Sequence, residues 1–529
     1  MPAPPAPYVF QPHERPPFAG SPYTPVHPGW RRAAYAVVAV IMALASGLNN
    51  AILSVNIQTL GGGLGVTMAD MTWLPAVYAA FNASANLLLV KARMRFGVAP
   101  VVHVLLGVYI ALAVIELIWP SFTMALIARA AAGFTAAGLS SLVIYNLIQV
   151  FPQKVRPLAI VFAVGLPQLA TPIARLFPVE MLARDHLQTV HLMELGMAIA
   201  ALAGSNLVRL PPTDKVKAFD PLDAVTLALF LPAMILLCGA LSLGRLYWWT
   251  DTPWIGWALA ATVVLFTGVV LVEHLRRNPL LQLHWIGSLD IARFAFVALL
   301  VRLALTEQTY GTTGLLTIGG LNNDQLHGLF IVVLIAMVAG SVISAVLLKA
   351  PRIPYLVMAA ALIIALGAGL DTFATSQTRP PQLFLSQGLL AFGSTLFIGP
   401  ALLYGFGKVI ARGQGFLVSF SVVFGLSQTI GGLAGSALLG SYQVAQTRAH
   451  TLEFLSNMPA GDAQVAARLQ GGAVALSQII SREANIAAFN DVSRLVMIIA
   501  LLTAAYIAYI IVFNRLTGRV VPEPAGARP

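Results

Sequence analysis

Apolar runs of about 20 residues recur along this 529-residue chain, and nothing constrains its fold more. In α-helix a run of that length rises about 30 Å, the thickness of a bilayer's hydrocarbon core. Fourteen such spans can be placed, near 32–58, 68–90, 99–119, 122–146, 157–183, 187–208, 222–244, 253–273, 290–316, 326–348, 353–371, 382–404, 413–441 and 493–514. Within lipid the backbone must satisfy its own hydrogen bonds, which leaves helices or a closed barrel. Barrel strands alternate apolar and polar residues over about ten positions, a pattern this chain lacks. The reading is an all-α polytopic membrane protein. Only 10% of its residues are charged, against about 25% in soluble proteins.

A formal charge of +11 raises the question of nucleic acid, and the distribution of charge answers it. With the N-terminus inside, twenty of the 31 Lys and Arg fall on inside segments: Arg15, Arg31, Arg32, Lys91, Arg93, Arg95, Lys154, Arg156, Arg209, Lys215, Lys217, Arg276, Arg277, Lys349, Arg352, Lys408, Arg412, Arg515, Arg519 and Arg528. The other side holds six, Arg184, Arg245, Arg379, Arg448, Arg468 and Arg482. This asymmetry is the positive-inside rule. It predicts a multi-pass protein of the inner membrane with both termini cytoplasmic, and no nucleic-acid partner. The first 28 residues hold ten prolines and no apolar core, so they do not read as a cleavable signal. A disordered tail is expected over 1–30, and a second cytoplasmic tail over 517–529. The single cysteine, Cys238, allows no intramolecular disulfide and reads as a buried apolar side chain.

Two basic loops repeat in register. From the start of span 1 to Lys91 is about 60 residues, and from the start of span 9 to Lys349 about 59. The next basic loops begin at Lys154 and Lys408. An offset of about 258 residues therefore relates two six-helix halves, 31–210 and 279–516, with a linker and two inserted helices at 211–278. Such repeats, with a substrate path at their interface, are the architecture of secondary transporters. The one long outer loop, 442–491, carries helical apolar spacing interrupted by Pro459-Ala460-Gly461, which predicts one or two short amphipathic helices.

Several stretches resemble the motifs of one family: LNNAILSVN (Leu48–Asn56) in span 1, WLPAVY (Trp73–Tyr78) in span 2, ARAAAGFTAAG (Ala128–Gly138) in span 4, IGGLAGSALLGS (Ile430–Ser441) in span 13 and ANIAAFNDV (Ala484–Val492). In this order, with the inserted pair, they resemble the fourteen-spanner drug:proton antiporters of the major facilitator superfamily, the EmrB/QacA type. The resemblance covers Arg31 to Leu516. It implies a major facilitator fold with 14 transmembrane helices, proton coupling through Arg129, and a gating loop after span 2 around Arg95 and Gly97. It also permits, as partners, a periplasmic adaptor and an outer-membrane channel. The departures are specific. In VKARMRFGVA (Val90–Ala99), Met94 stands where the family has aspartate and Val90 where it has glycine. In TPIARL (Thr171–Leu176), Arg175 replaces a small residue, and Asn49 replaces the span 1 aspartate.

A charge at a helix centre costs about 2.5–3.5 kcal/mol on insertion scales, so mid-span ionisable groups are expected to face the interior or a wet cavity. Glu307 lies near the middle of span 9, where the repeat offset carries Asn49. Burial penalises its charged form, which makes it the candidate proton carrier; the alternative is a structural ion pair with another helix. Arg302, five residues away, lies about 140° around the same helix and is not its partner. Arg129 remains charged and, facing Asn49, needs another acceptor or binds backbone carbonyls. Glu194 is the candidate acceptor. With His191, three residues earlier on the same face, it forms either an outer proton relay or a wet interfacial pair. Two ligands are too few for a structural metal site, and no cofactor is expected. Arg129, Arg175 and Arg302 against Glu307 and Glu194 would favour an organic anion over a cation. Asn49, Arg175, Arg302, Gln308 and Tyr310 are expected to line the substrate cavity. Gly165, Pro167 and Pro172 in span 5, with Gly399 and Pro400 in span 12, are expected to break two helices and serve as hinges. Gly431, Gly432, Gly435 and Gly440 are expected to allow close helix packing, and Glu116 to reach the outer interface.

The sequence thus points to a secondary exporter, coupling proton entry to efflux of a small amphipathic or anionic compound. The alternatives are an organic-anion uptake permease and a transport-inactive scaffold or sensor. No nucleotide cradle, HExxH or nucleophile–base pair suggests an enzyme.

Overall fold

Eight crossings precede the second half in the computed structural model, which describes residues 10–16, 18–57, 60, 65–182, 187–459, 462–470 and 472–517. Arg184, Arg519 and Arg528 lie outside the described residues. The first half comprises α1 (Gly29–Val55), α2 (Met68–Phe96), α3 (Val98–Ile118), α4 (Phe122–Val150), α5 (Arg156–Gln168) with the short α6 (Ala170–Ala174), and α7 (Leu187–Leu207). The inserted pair is α8 (Leu222–Tyr247) and α9 (Pro253–Leu275). The second half comprises α10 (Leu289–Ala304) with α11 (Thr306–Ile318), α12 (His327–Leu347), α13 (Ile353–Leu370), α14 (Phe384–Arg412), α15 (Leu417–Ser456), the short α16 (Ala463–Gln470) and α17 (Ala473–Leu516). Among the described residues, thirteen helices are long and apolar enough to cross a membrane. The expected fourteenth, span 9, is divided at Leu305 into α10 and α11, so neither piece counts alone.

Helix ends follow the local sequence. Thr67 and Asp70 exchange side-chain-to-backbone bonds in a capping box at the start of α2, and Ser121 caps α4, satisfying N–H groups a helix start leaves open. Gly97 turns α2 into α3 at φ 92°, a conformation costly for any residue with a Cβ. Lipid supplies no hydrophobic drive between helices, so small residues set the contacts. At Gly133 an added Cβ would sit 2.5 Å from the Tyr78 carbonyl oxygen of α2. α5 packs on α12 and α14, and α2 on α15, joining the halves. α8 packs on both α2 and α15, so the inserted pair sits at the seam.

Three expectations change here. Within 1–30, the described residues from Phe10 on are packed rather than disordered. Gly20 N–H donates to the Asp214 carbonyl and Tyr23 N–H to that of Pro212, both at 3.0 Å. Ser21 Oγ lies 3.0 Å from Tyr145 Oη, and His27 Nε2 lies 2.8 Å from Gln149 Oε1. Proline lacks an N–H and loses little chain freedom on docking, so the same composition that suggests disorder also suits an extended strap.

The outer loop 442–491 is largely continuous helix: α15 runs 40 residues and α17 runs 44. The apolar spacing there marks extensions of the spans, tied together by Gln443 Nε2–Asn485 Oδ1 at 2.7 Å and His450 Nε2–Asp491 Oδ2 at 2.7 Å. Among the described residues α16 is the one separate short helix, within the expected one or two.

Span 5 does break, at Leu169 just after Pro167, but α14 passes through Gly399 and Pro400 as one 29-residue helix. A helix tolerates proline when neighbours hold it, and Gly399 lies against Val161, where an added Cβ would approach Cγ1 to 2.7 Å.

Candidate functional site

A cavity of about 440 Å³ lies between the halves. Asn50, Tyr78 and Asn82 from the first half and Phe330, Phe397 and Gln428 from the second contribute to its wall. Arg175, at the end of α6, and Arg302, on α10, both line it. Among its described lining residues there is no Asp, Glu or Lys. Arg302 Nε donates to the Gln428 carbonyl at 3.4 Å, and the Arg175 guanidinium lies over the Phe330 ring at 5.7 Å. Asn50 Oδ1 and Gln428 Nε2 are buried without a protein hydrogen-bond partner. Gly432 leaves room for the Arg302 side chain, with an added Cβ 3.5 Å from Nε, and Gly431 packs against its stem. Gly435 and Gly440 likewise pack closely on Thr306 and Arg245.

Gln308 lines the cavity as expected, together with Pro167 and Pro172, whereas Asn49, Glu307 and Tyr310 do not. Tyr310 turns instead toward the inserted pair, where Arg245 Nη1 donates to its hydroxyl at 3.0 Å. Gly165 packs on Ser341 of α12; Arg95 is exposed beside Gly97.

Asn49 belongs to a buried polar cluster within the first half. Arg129 Nη1 donates to the Asn49 carbonyl at 2.8 Å and to its Oδ1 at 2.5 Å. Arg129 Nη2 donates to both Glu194 oxygens, at 3.1 and 3.0 Å. The expected second acceptor is therefore Glu194, and Asn49 also donates to Tyr109 Oη. His191 Nδ1 stands 3.9 Å from Glu116 Oε1 and 4.0 Å from Glu194 Oε2. Glu116 does not reach outward; it is buried at 7% exposure, because His191 and Arg129 draw a carboxylate inward. Two carboxyls against one fixed cation leave one negative charge, which a proton on His191 or on a carboxyl cancels.

Glu307 belongs to a matching cluster in the second half, on the side of α11 away from the cavity. It is wholly buried and accepts from Thr312 Oγ1 at 2.8 Å. Gln387 Nε2 lies 3.5 Å from Glu307 Oε2, 2.6 Å from Asp371 Oδ2 and 2.5 Å from Thr312 Oγ1. Asp371 Oδ1 is buried without a partner. Among the described residues no cation offsets either carboxyl; hydroxyls and one amide surround them. Gln387 also connects this cluster to the cavity wall, its carbonyl accepting from Gln308 Nε2 at 3.3 Å.

Asp371 and Gln387 escaped the sequence reading. The signal was available for Gln387: the repeat offset that carries Asn49 onto Glu307 carries Arg129 onto it. Asp371 sits in the helical turn after α13, at the predicted end of a span, where an acidic residue reads as a solvated terminus.

Where α8 begins and α9 ends, the inserted pair is secured by a third set of charges. Asp223 on α8 accepts from Lys91 Nζ at 2.7 Å and Arg276 Nη2 at 2.8 Å. Arg276 Nη1 reaches Glu273 at 2.8 Å, and Glu273 Oε2 accepts from Leu280 N–H at 2.5 Å and Leu281 N–H at 3.0 Å. The basic stretch at the end of α2 thus gains a carboxylate from the insertion. Cys238 is buried and unpaired, as read.

No protein-family profile and no curated protein matches this chain. Solved structures do. The human organic anion transporter MFSD10 (TETRAN) superposes with a TM-score of 0.53 at 13% identity, covering 90% of this chain and all of that one. A bacterial homologue of the human lysosomal transporter Spinster, inward-facing and occupied, gives 0.51 at 14%, covering 94% and 100%. The POT family transporter PepTSo gives 0.54 at 14%, covering 91% and 99%. The helix order, the paired halves and these superpositions agree: the chain has the major facilitator fold.

Proposed function

We propose that this chain is a secondary active transporter of the inner membrane that couples proton entry to efflux of small amphipathic or anionic organic compounds. Its bundles are 31–210 and 279–516, its inserted pair falls within 211–278, and both termini are cytoplasmic. One observation supports the coupling: Glu307 and Asp371 share the amide of Gln387, face no cation among the described residues, and adjoin the cavity wall through Gln308. Two buried carboxylates without a counter-ion repel each other, so the pair holds at least one proton when closed to water. Water reaching the pair from one face and then the other would load and release that proton. Gln308 ties the cavity wall to Gln387, so occupancy of the cavity bears on the acid pair. In the first half, Arg129, Glu194, His191 and Glu116 form a second store whose charge changes by one proton. The break at Leu169 and the glycine contacts at Gly165 and Gly399 allow one half to rock on the other. An adaptor would meet the outer extensions of α15 and α17.

Direction is set apart from uptake by charge movement. One proton in per monoanion out moves two charges the same way, worth about 4.6 kcal/mol per 100 mV; proton–anion uptake moves none. Proteoliposomes with an imposed inside-negative potential decide between them: export predicts faster anion exit with potential, and uptake predicts no dependence. Absence of both proton and anion movement would instead fit the scaffold reading.

A further inference from the structure

We propose that the central cavity binds the anionic form of an organic acid, its charged group held between Arg175 of one half and Arg302 of the other. The inference deepens the transporter reading by naming its substrate class, and it rests on that cavity being the substrate path.

Three observations carry it. Neither guanidinium is ion-paired among the described residues, and no acidic side chain lines the cavity with them. The buried carboxylates outside the cavity are held in other clusters: Glu194 by Arg129, Asp223 and Glu273 by Arg276, and Glu307 and Asp371 by Thr312 and the Gln387 amide. Two cations in a low-dielectric wall without counter-charge are costly, and an anionic ligand removes that cost in the loaded state. The amide Nε2 of Gln428, buried and unpartnered, stands on the residue whose carbonyl Arg302 contacts. It supplies a neutral donor beside a charged one, a set suited to a carboxylate or sulfonate. Phe330, Met337, Phe397 and Leu433 form an apolar part of the wall that suits the body of such a compound, beside neutral hydroxyls and amides such as Ser46, Asn82 and Gln308, and about 440 Å³ is within the range of small-molecule sites. A ligand touching both arginines also bridges the two halves, so its charge favours their closure.

The test uses the full chain in lipid nanodiscs and four probes sharing one ring system: 2-naphthoate, 2-naphthalenesulfonate, 2-naphthylmethanol and 2-naphthylmethylamine. Saturable binding of radiolabelled probe is measured against empty nanodiscs, which correct for partition into lipid, and repeated on the Arg175→Gln/Arg302→Gln double variant. Both anions should bind more tightly than the alcohol, and the amine least. Arg175→Gln or Arg302→Gln should weaken anion binding about 10- to 100-fold, with Arg302→Lys in between, and melting temperatures would verify that each variant is folded. Equal binding of anion and alcohol, unchanged anion binding in the folded double variant, or no saturable anion binding would each overturn the assignment. Naphthoate binding without proton movement would keep the substrate class and remove the coupling. Proton movement driven only by uncharged or cationic compounds would keep the coupling and remove the class.

Discussion

Replacing Glu194 by glutamine tests whether the cluster around Arg129 holds the first half together. Both Glu194 oxygens lie within 3.1 Å of Arg129 Nη2, and Arg129 is 4% exposed, so solvent screens the pair little. Breaking a buried ion pair by removing one partner costs about 3–5 kcal/mol. Asn49 keeps its two contacts with Nη1, and Glu116 remains nearby across His191, which places the expected loss near the lower value. For a unit of about 180 residues, the length of 31–210, each kcal/mol moves the melting temperature by about 2–4 °C. Glu194→Gln should therefore melt about 6–12 °C lower in detergent, read by intrinsic fluorescence. Adding Glu116→Gln should lower it further, since Arg129 then faces no carboxylate. Arg129→Met/Glu194→Met should recover part of the loss, because neither member of the pair is left buried without the other, while Glu116 keeps His191 beside it. A shift under about 2 °C for Glu194→Gln, or a double methionine variant as unstable as the sum of its parts, would refute the reasoning.

Two other outcomes follow from the end of the bundle that holds Asp223 and His27. Asp223→Asn removes the charge joining Lys91 to Arg276 and should loosen the inserted pair, seen as faster proteolysis within 211–221; unchanged cleavage would show that the helices hold without it. Burial, and to a smaller degree Arg31, lowers the pKa of His27, partly offset by its bond to Gln149. A displaced His27 therefore binds protons more readily than the docked one. Docking of 10–28 should be firm above about pH 6.5 and weaken as pH falls below it, seen as rising hydrogen exchange in that segment. His27→Asn should flatten that dependence.

Much of this was written in period and offset. Span length, the paired basic loops and the 258-residue repeat carried the two halves and the insertion, since a bilayer forces those spacings on any helix. Arg175 and Arg302 in the cavity and Glu194 beside Arg129 were legible because an ionisable group in lipid must find a partner or water. Facing was not legible. Asn49 and Asn50 are neighbours, yet one binds Arg129 and the other lines the cavity; a 100° step around the helix separates the roles. Glu307 and Gln308 part in the same way. Asp371 was hidden because nothing local distinguishes an acidic helix end that is covered from one that is wet. The docked strap and the long outer helices were missed because proline content and loop polarity describe a chain alone, not the surface it meets.

The coupling claim is tested most directly by recording substrate-driven proton movement in inverted vesicles carrying the native chain, Glu307→Gln, Asp371→Asn and both together. The account predicts proton movement in the native chain, its loss in Glu307→Gln and in the double variant, and a displaced pH profile in Asp371→Asn, since one carboxyl without its neighbour titrates alone. Full proton movement in folded Glu307→Gln/Asp371→Asn would contradict it, and the acid pair would then be part of the packing only.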